Sequence, residues 1–260
     1  MKLILSLLLL LFSLELTAQN LRIISVIEPP ANYLTPWGEP DGFVTDIIRA
    51  MQKSLNDNTR IEFIPEARAL KIAREKANIL LFSFSRTPKR EDLFHWIGKV
   101  QRKKWHVIAL RQHRLKITSL EQLKALPSIG VVRGDVREEW LAEQGFSNTS
   151  AVASHEQNIK RLLNNRVTAI FYEIQGLMHL TANLKLDRQL FESVYIANQS
   201  DVYLLMSKAG TSPALLRKWQ QAFRHLGQSG KLKAISLKWQ QRLRRKHQIE
   251  SQLEQDVLAF

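Results

Sequence analysis

The hydroxyls of Ser83, Ser85 and Thr87 and the guanidinium of Arg90 are the groups whose types and spacing best suit ligand chemistry. An apolar run, Ile79 to Phe84, opens into Ser83, Ser85, Thr87, Pro88 and Arg90, so a buried strand delivers them at its carboxyl end. Open α/β sheets hold their ligands there. Pro88 ends the strand pattern, because a proline in a central ladder loses a donor. Lys89-Arg90-Glu91-Asp92 can then turn into a short helix facing the same crevice, where Arg90 can grip a carboxylate with two parallel hydrogen bonds. The alternative for Arg90 is a surface pair with Glu91 or Asp92, which contributes little.

The elements that must position these groups alternate in type. Leu21 to Ile27 reads as a β-branched strand ended by Pro29-Pro30, and a loop through Trp37, Gly38 and Asp41-Gly42 leads to a helix from about Thr45 to Leu55. Arg60 to Ile64 is a strand, Ala67 to Glu75 a helix, and Asn78 to Phe84 the strand described above. Such alternation implies βαβ units and a largely parallel sheet. The pattern restarts with a strand at Trp105 to Leu110 and a helix capped by Thr118 and Glu121. It continues through strands at Ile129 to Val132 and Val167 to Phe171. Its helices are one entered through Gly134-Asp135, one capped by Ser154 and Gln157, and one at Ile174 to Leu184. Strands at Val194 to Ala197 and Val202 to Met206 precede Ser212-Pro213, a cap and first-turn proline for another helix. From Gly230 onward Leu232, Ile235, Trp239 and Leu243 share one helical face, continued by Ile249, Leu253 and Val257; this tail could dock on its own lobe, a partner or anionic lipid. No flexible linker separates the two α/β blocks, so two strands are expected to connect them.

Composition excludes several function classes. Residues 3–14 form a leucine-rich core behind Lys2, and Glu15-Leu16-Thr17-Ala18 has the layout of a secretory cut after Ala18. A spanning helix needs roughly 20 apolar residues, and Glu15 interrupts this run. The absence of cysteine rules out disulfides, thiolate nucleophiles and cysteine zinc sites. The net charge of +14 is spread along helix faces, densest at Arg242 to Lys246, which favours plain solvation over a nucleic-acid partner. The seven histidines form no metal-binding motif. No nucleophile turn, phosphate-cradling loop or dinucleotide fingerprint is present. Arg133-Gly134-Asp135 is explained by a strand-to-helix turn.

Order and residues together resemble the family 3 extracellular solute-binding proteins, bacterial binding proteins for polar amino acids. The resemblance runs from about Leu21 to Trp239. It is carried by GFVTDIIRAM at Gly42 to Met51, SFSRTPKRE with FHWIG after it, IGVVRGDVREEWL at Ile129 to Leu141, and NRVTAIFYE at Asn165 to Glu173. It implies a two-lobed α/β fold of the type II periplasmic-binding kind, each lobe a mainly parallel sheet flanked by helices. Residues 19–106 and 199–260 would form lobe one, with a basic C-terminal helix, and residues 107–198 an inserted lobe two. The ligand would lie in the cleft.

Carried over position by position, the resemblance puts the carboxylate-binding arginine on Arg90 and the hydroxyl or backbone contacts of its loop on Ser83 and Ser85. The acidic residue that takes the ligand's ammonium falls on Glu173, where the family usually has aspartate; alternatively Glu173 caps the following helix. Two positions depart from the family. Asp135 stands where a serine or threonine often helps hold the carboxylate. A second anion there costs free energy unless Asp135 turns away, so a helix N-cap closed by Glu138 is the expected role. Glu28-Pro29-Pro30 lies near where an aromatic commonly packs on the ligand, and Tyr33 or Trp37 can take that part. Glu28, Asp135 and Glu173 together would make the cleft acidic and favour a cation.

The expectation is a monomeric periplasmic receptor that closes by hinge bending on an amino acid or related cation and serves an ABC-type importer or a sensor. It needs no cofactor and no metal. Two rivals stand beside it: an exported dehydratase-like enzyme using Glu173 as acid or base, and an interaction protein using the basic tail.

Overall fold

The computed structural model describes residues 20–260, so the apolar leader and its expected cut lie outside the described residues. In chain order the elements are β1 (Arg22–Ser25), β2 (Tyr33–Leu34), β3 (Pro40–Asp41), α1 (Phe43–Leu55), β4 (Ile61–Phe63), α2 (Glu66–Glu75), β5 (Ile79–Ser85), α3 (Pro88–Glu91) and β6 (Phe94–Leu110). Next come α4 (Leu120–Lys124), β7 (Ile129–Val132), α5 (Val136–Glu143), β8 (Thr149–Val152), α6 (His155–Leu163), β9 (Ala169–Tyr172) and α7 (Ile174–Asn183). The chain closes with β10 (Phe191–Ser207), α8 (Pro213–Gln228), α9 (Lys231–His247), β11 (Gln252–Glu254) and β12 (Val257–Ala259). Among the described residues no helix is long and apolar enough to cross a membrane.

One mixed sheet runs through the molecule in the order β4-β1-β5-β10-β6-β9-β7-β8. Its ends are parallel, β4 and β5 on β1, and β8 and β9 on β7, as the βαβ reading requires. The centre is antiparallel. Strands β6 and β10, 17 residues each, pair from Phe94–Ser207 to Phe191–Leu110 and span about 55 Å. Sequence patterning marks only Trp105 to Leu110 of β6, and Val194 to Ala197 with Val202 to Met206 of β10, because Gln101 to Lys104 and Asn198 to Asp201 are polar. A ribbon between two packed regions needs no apolar alternation there, since cross-strand bonds satisfy its backbone.

Two cores flank β1, β4 and β5. One joins Ile47, Ile48 and Met51 of α1 with Trp219 of α8 and Trp239 of α9; the other seats Ala69 and Ala73 of α2 on Ile24 and Leu81. A second region packs Trp105, Val131, Leu141 and Phe171 on one face of β7 and β9, and Ile159, Leu162 and Ile170 on the other.

Several local expectations need correction. Ser119, not Thr118, caps α4, accepting from the Gln122 amide, while Thr118 bonds the Gln122 side chain. Ser212 makes no side-chain cap bond, although Pro213 does open α8. The apolar face of α9 does not continue as helix. Gln248 at φ 53° stops it, and Ile249 folds back so that its N–H meets the Leu243 carbonyl at 3.2 Å. Gln255 and Asp256, both at positive φ, then close a two-residue hairpin whose strand β12 pairs parallel with β6. The tail therefore docks on its own sheet, burying Ile249, Val257 and Leu258.

Candidate functional site

The first wall of the cleft begins at a bulge. Leu80 and Phe82 face the α1 side of the sheet and Ile79 and Leu81 the α2 side, but Phe84 falls with the latter. Ser83, at φ 70°, is the extra residue, skipped where Tyr203 pairs with Phe84 and Leu204 with Phe82. A bulge of this kind re-aims the side chains beyond it. The Ser83 hydroxyl donates to the Asn32 side-chain oxygen, and Ser85 Oγ lies 3.0 Å from Ser200 Oγ, which accepts from the Trp105 indole at 3.0 Å. Both serines thus brace the wall.

Arg90, 3% exposed, projects from the one-turn helix α3 into the interface of the two regions. Its guanidinium lies 3.0 Å from Glu139 of α5 and 3.4 Å from Glu66 of α2. The surface pair with Glu91 or Asp92 is not formed: Glu91 accepts from Arg86, with Nε at 2.7 Å. Arg90 is therefore a buried cation between the two regions whose partners are carboxylates of its own chain.

The second wall is built on a glycine turn. Gly134 sits at φ 73°, and a Cβ there would come within 2.6 Å of Ala67, so only glycine lets this turn approach α2 across the cleft. Asp135 caps α5 by accepting the Arg137 N–H at 2.7 Å, and Glu138 closes on the Gly134 N–H at 2.5 Å, one residue earlier than the expected capping box. The same Asp135 carboxylate takes the Arg137 guanidinium in a two-pronged contact, Nε to Oδ1 at 2.7 Å and Nη2 to Oδ2. Arg137 Nη1 donates to Glu173 Oε1 at 2.6 Å, and Nη2 reaches Glu28 Oε1 at 3.3 Å and His155 Nε2 at 3.1 Å. Lys103, on the crossover strand β6, completes the group at 2.5 Å from Glu173 and 3.4 Å from Glu28. Tyr172 forms the floor, with the His155 ring stacked on it at 3.7 Å.

Glu28, Asp135 and Glu173 are thus brought together, as an acidic cleft demands. Glu173 stands at the N-cap of α7 without capping it, because its carboxylate turns into the ion-pair group. Tyr33 lies elsewhere, its hydroxyl donating to Asp41 at 2.8 Å, and Trp37 is 86% exposed. Neither joins the ion-pair group. Glu28, Asp135 and His155 offer oxygen and nitrogen atoms close enough for a metal ion, but Arg137 Nη2 contacts all three and takes that position.

Burial and charge divide these groups by protonation. Burial alone would raise Glu28 and Asp135, yet Lys103 and Arg137 hold Glu28, and Arg137 with His155 holds Asp135, below the usual carboxylate range. Burial wins at Glu173, raised to about 7 with help from Glu28, and at Glu66, raised to about 8 with help from Asp135. His155 is pulled down by burial and by Arg137, but hydrogen bonds to Asp135 and Glu28 leave it above its ordinary value.

The sequence reading missed Arg137, Lys103, His155, Glu66 and Glu139. Lys103 had a signal: Gln101, Lys103, Trp105 and Val107 alternate on one face of a strand and are all buried. Arg137 had a weaker one, standing two residues after a helix-capping aspartate. Glu66 and His155 carry no local mark, since each opens an ordinary helix.

Between the two regions lies a pocket of about 380 Å³, lined among others by Glu28, Glu66, Asp135, Glu156, His155 and Tyr172. The model of the bacterial extracellular solute-binding proteins, family 3, matches residues 21–242. No curated protein sequence is a match. Solved structures show the same fold. A histidine kinase sensor domain with similarity to periplasmic binding proteins superposes with a TM-score of 0.75 at 15% identity, covering 85% of this chain and 96% of that one. The solute receptor for L-cysteine of Neisseria gonorrhoeae gives 0.73 at 18% identity, with 92% and 96% covered. A mutant of ArgBP from T. maritima gives 0.74 at 13% identity, with 86% and 97% covered.

Proposed function

The chain belongs to the bacterial extracellular solute-binding proteins of family 3, and from that premise we propose that it is a periplasmic receptor for a small cationic amino acid or related amine. Lobe one would comprise residues 19–106 and 199–260, lobe two residues 107–198, and residues 1–18 the export signal. The observation that carries the reading is the pocket between the two regions, where Glu28, Glu66, Asp135 and Glu156 face His155, the sole basic group lining it among the described residues. Its volume suits an amino acid. A cationic ligand gains charge-assisted bonds to Glu28 and Asp135, each about 1.5–3 kcal/mol, and so reduces their dependence on the chain's own cations.

Arg90 remains the counterpart for a ligand carboxylate. Glu66, raised to about 8, keeps its proton at neutral pH and leaves the partly exposed Glu139 as the carboxylate paired with Arg90, one that a ligand carboxylate can replace. Closure about β6 and β10 would bring Arg90 and the acidic wall onto one molecule, and only the closed form gains both sets of contacts. The family and its structural neighbours are binding proteins. The closed form would then engage an importer or a sensor in the inner membrane.

A melting-temperature screen of the purified protein against amino acids and polyamines tests this. Basic amino acids or diamines should raise Tm by several degrees and anionic ones should not, with Glu28→Gln weakening the response. A response confined to acidic or apolar amino acids, or unchanged in Glu28→Gln, sinks the cationic assignment. Turnover of a cyclic amino-acid precursor without product inhibition would move the protein to the dehydratase class.

A further inference from the structure

A second set of side chains joins the two regions away from the ion-pair group. His179, on α7, is 3% exposed, and neither of its ring nitrogens has a hydrogen-bond partner among the described residues. His247, in the last turn of α9, likewise has a buried and unpartnered Nδ1. The two rings lie 5.1 Å apart, centroid to centroid, and Tyr33 closes the other face of His179 at 4.6 Å. Buried imidazole nitrogens are ordinarily bonded, because an unpaired one forfeits its hydration. Here two rings from different regions leave three nitrogens unused at one place.

We propose that His179 and His247 together bind an imidazole-preferring divalent transition-metal ion, such as zinc, that ties α7 to the C-terminal helix. Two imidazoles on one tetrahedral ion, with metal–nitrogen bonds near 2.0–2.1 Å, place their centroids about 5 Å apart, which is the spacing observed. The remaining positions would be filled by water. Two fixed cations act on the pair: Lys246, beside His247, and Arg242, which is paired with Asp41 at 2.9 Å, the carboxylate that also accepts from Tyr33. The pattern is invisible to sequence motifs because the ligands stand 68 residues apart (247 − 179) on different helices.

Because α7 also carries Glu173 at its N-terminus, an ion clamped at the middle of this helix would favour the closed arrangement of the cleft. The site does not depend on the identity of the cleft ligand.

The test uses the full exported chain stripped with chelator and titrated with zinc chloride alone, read by thermal unfolding and calorimetry. Zinc at a hundredfold excess over Kd should raise Tm by roughly 5–10 °C, magnesium should not, and the rise should vanish in both His179→Gln and His247→Gln. The second variant guards against a folding defect, because His247 lies in a half-exposed final turn. No heat and no shift with zinc overturns the proposal. So does a shift that persists in either variant, or one that survives in both but is lost in His155→Gln, which would put the ion in the cleft.

Discussion

Arg90 and Arg137 face the same cleft from opposite walls, and they are held in different ways. Arg137 grips Asp135 with two prongs and meets Glu173 at 2.6 Å, beneath Lys103 and over the Tyr172 ring. Arg90 touches its two carboxylates only at 3.0–3.4 Å, and one of them keeps its proton at neutral pH. The tight cation is a structural tie for the acidic wall, and the loose one can exchange partners. A receptor needs one of each: a fixed charge to gather the wall, and a mobile one to recognise what enters.

The comparison breaks most readily at Arg137. Arg137→Met leaves Glu28, Asp135 and Glu173 buried with only Lys103 and His155 to offset them, and removal of one partner from a buried ion-pair group costs about 3–5 kcal/mol. Arg90→Met, whose partners are longer or protonated, should cost about 1–3 kcal/mol. Urea unfolding of the two variants measures both. Equal losses would show that the two walls are held alike.

The next effect is a pH dependence, and Glu66 and Asp135 give it opposite signs. Glu66 is raised from 4.5 to about 8, so the folded protein holds a proton that the unfolded chain releases. Its contribution is fully present below pH 4.5 and is lost as pH rises through 8. Asp135 and Glu28 are lowered, so their contribution is present above the ordinary carboxylate range and lost on strong acidification. Glu66→Gln should therefore raise Tm at pH 8.5 relative to the unaltered protein and leave it nearly unchanged at pH 5. A Tm difference of the same size at both pH values would mean that Glu66 is ionised in the folded state.

Much of the fold was legible in the sequence, and the reasons are local. The runs at Ile79 to Phe84 and Ile129 to Val132 are buried on both faces, so their apolar continuity read correctly as strands. Ser154 with Gln157 read correctly as a cap because both partners lie within one turn. The crossover strands were cut short because their middle portions are polar, and the tail was extended as helix because Leu253 and Val257 happen to keep a spacing of four. Among the groups of the candidate site, Arg90 was marked by the residue types at a strand end, and Asp135, Glu28 and Glu173 by the resemblance to the family. Their partners were not, because Arg137, Lys103 and Glu66 acquire meaning only when regions distant in sequence meet.

The smallest effect is the sharpest test of exchange at the loose cation. Glu139 is 27% exposed and spans the cleft to Arg90 at 3.0 Å. An ion pair with one partly solvated partner contributes about 0–1 kcal/mol, so Glu139→Gln should barely alter the unfolding free energy. Its effect on a ligand is larger in proportion. If a ligand carboxylate must displace Glu139 from Arg90, neutralising Glu139 removes the competitor, and affinity should rise roughly two- to tenfold, the worth of one modest hydrogen bond. Calorimetry with the ligand found in the melting screen reads this directly. Affinity that falls in Glu139→Gln would instead make Glu139 a contact of the ligand's amine, and Arg90 would then share with Arg137 the task of holding the wall.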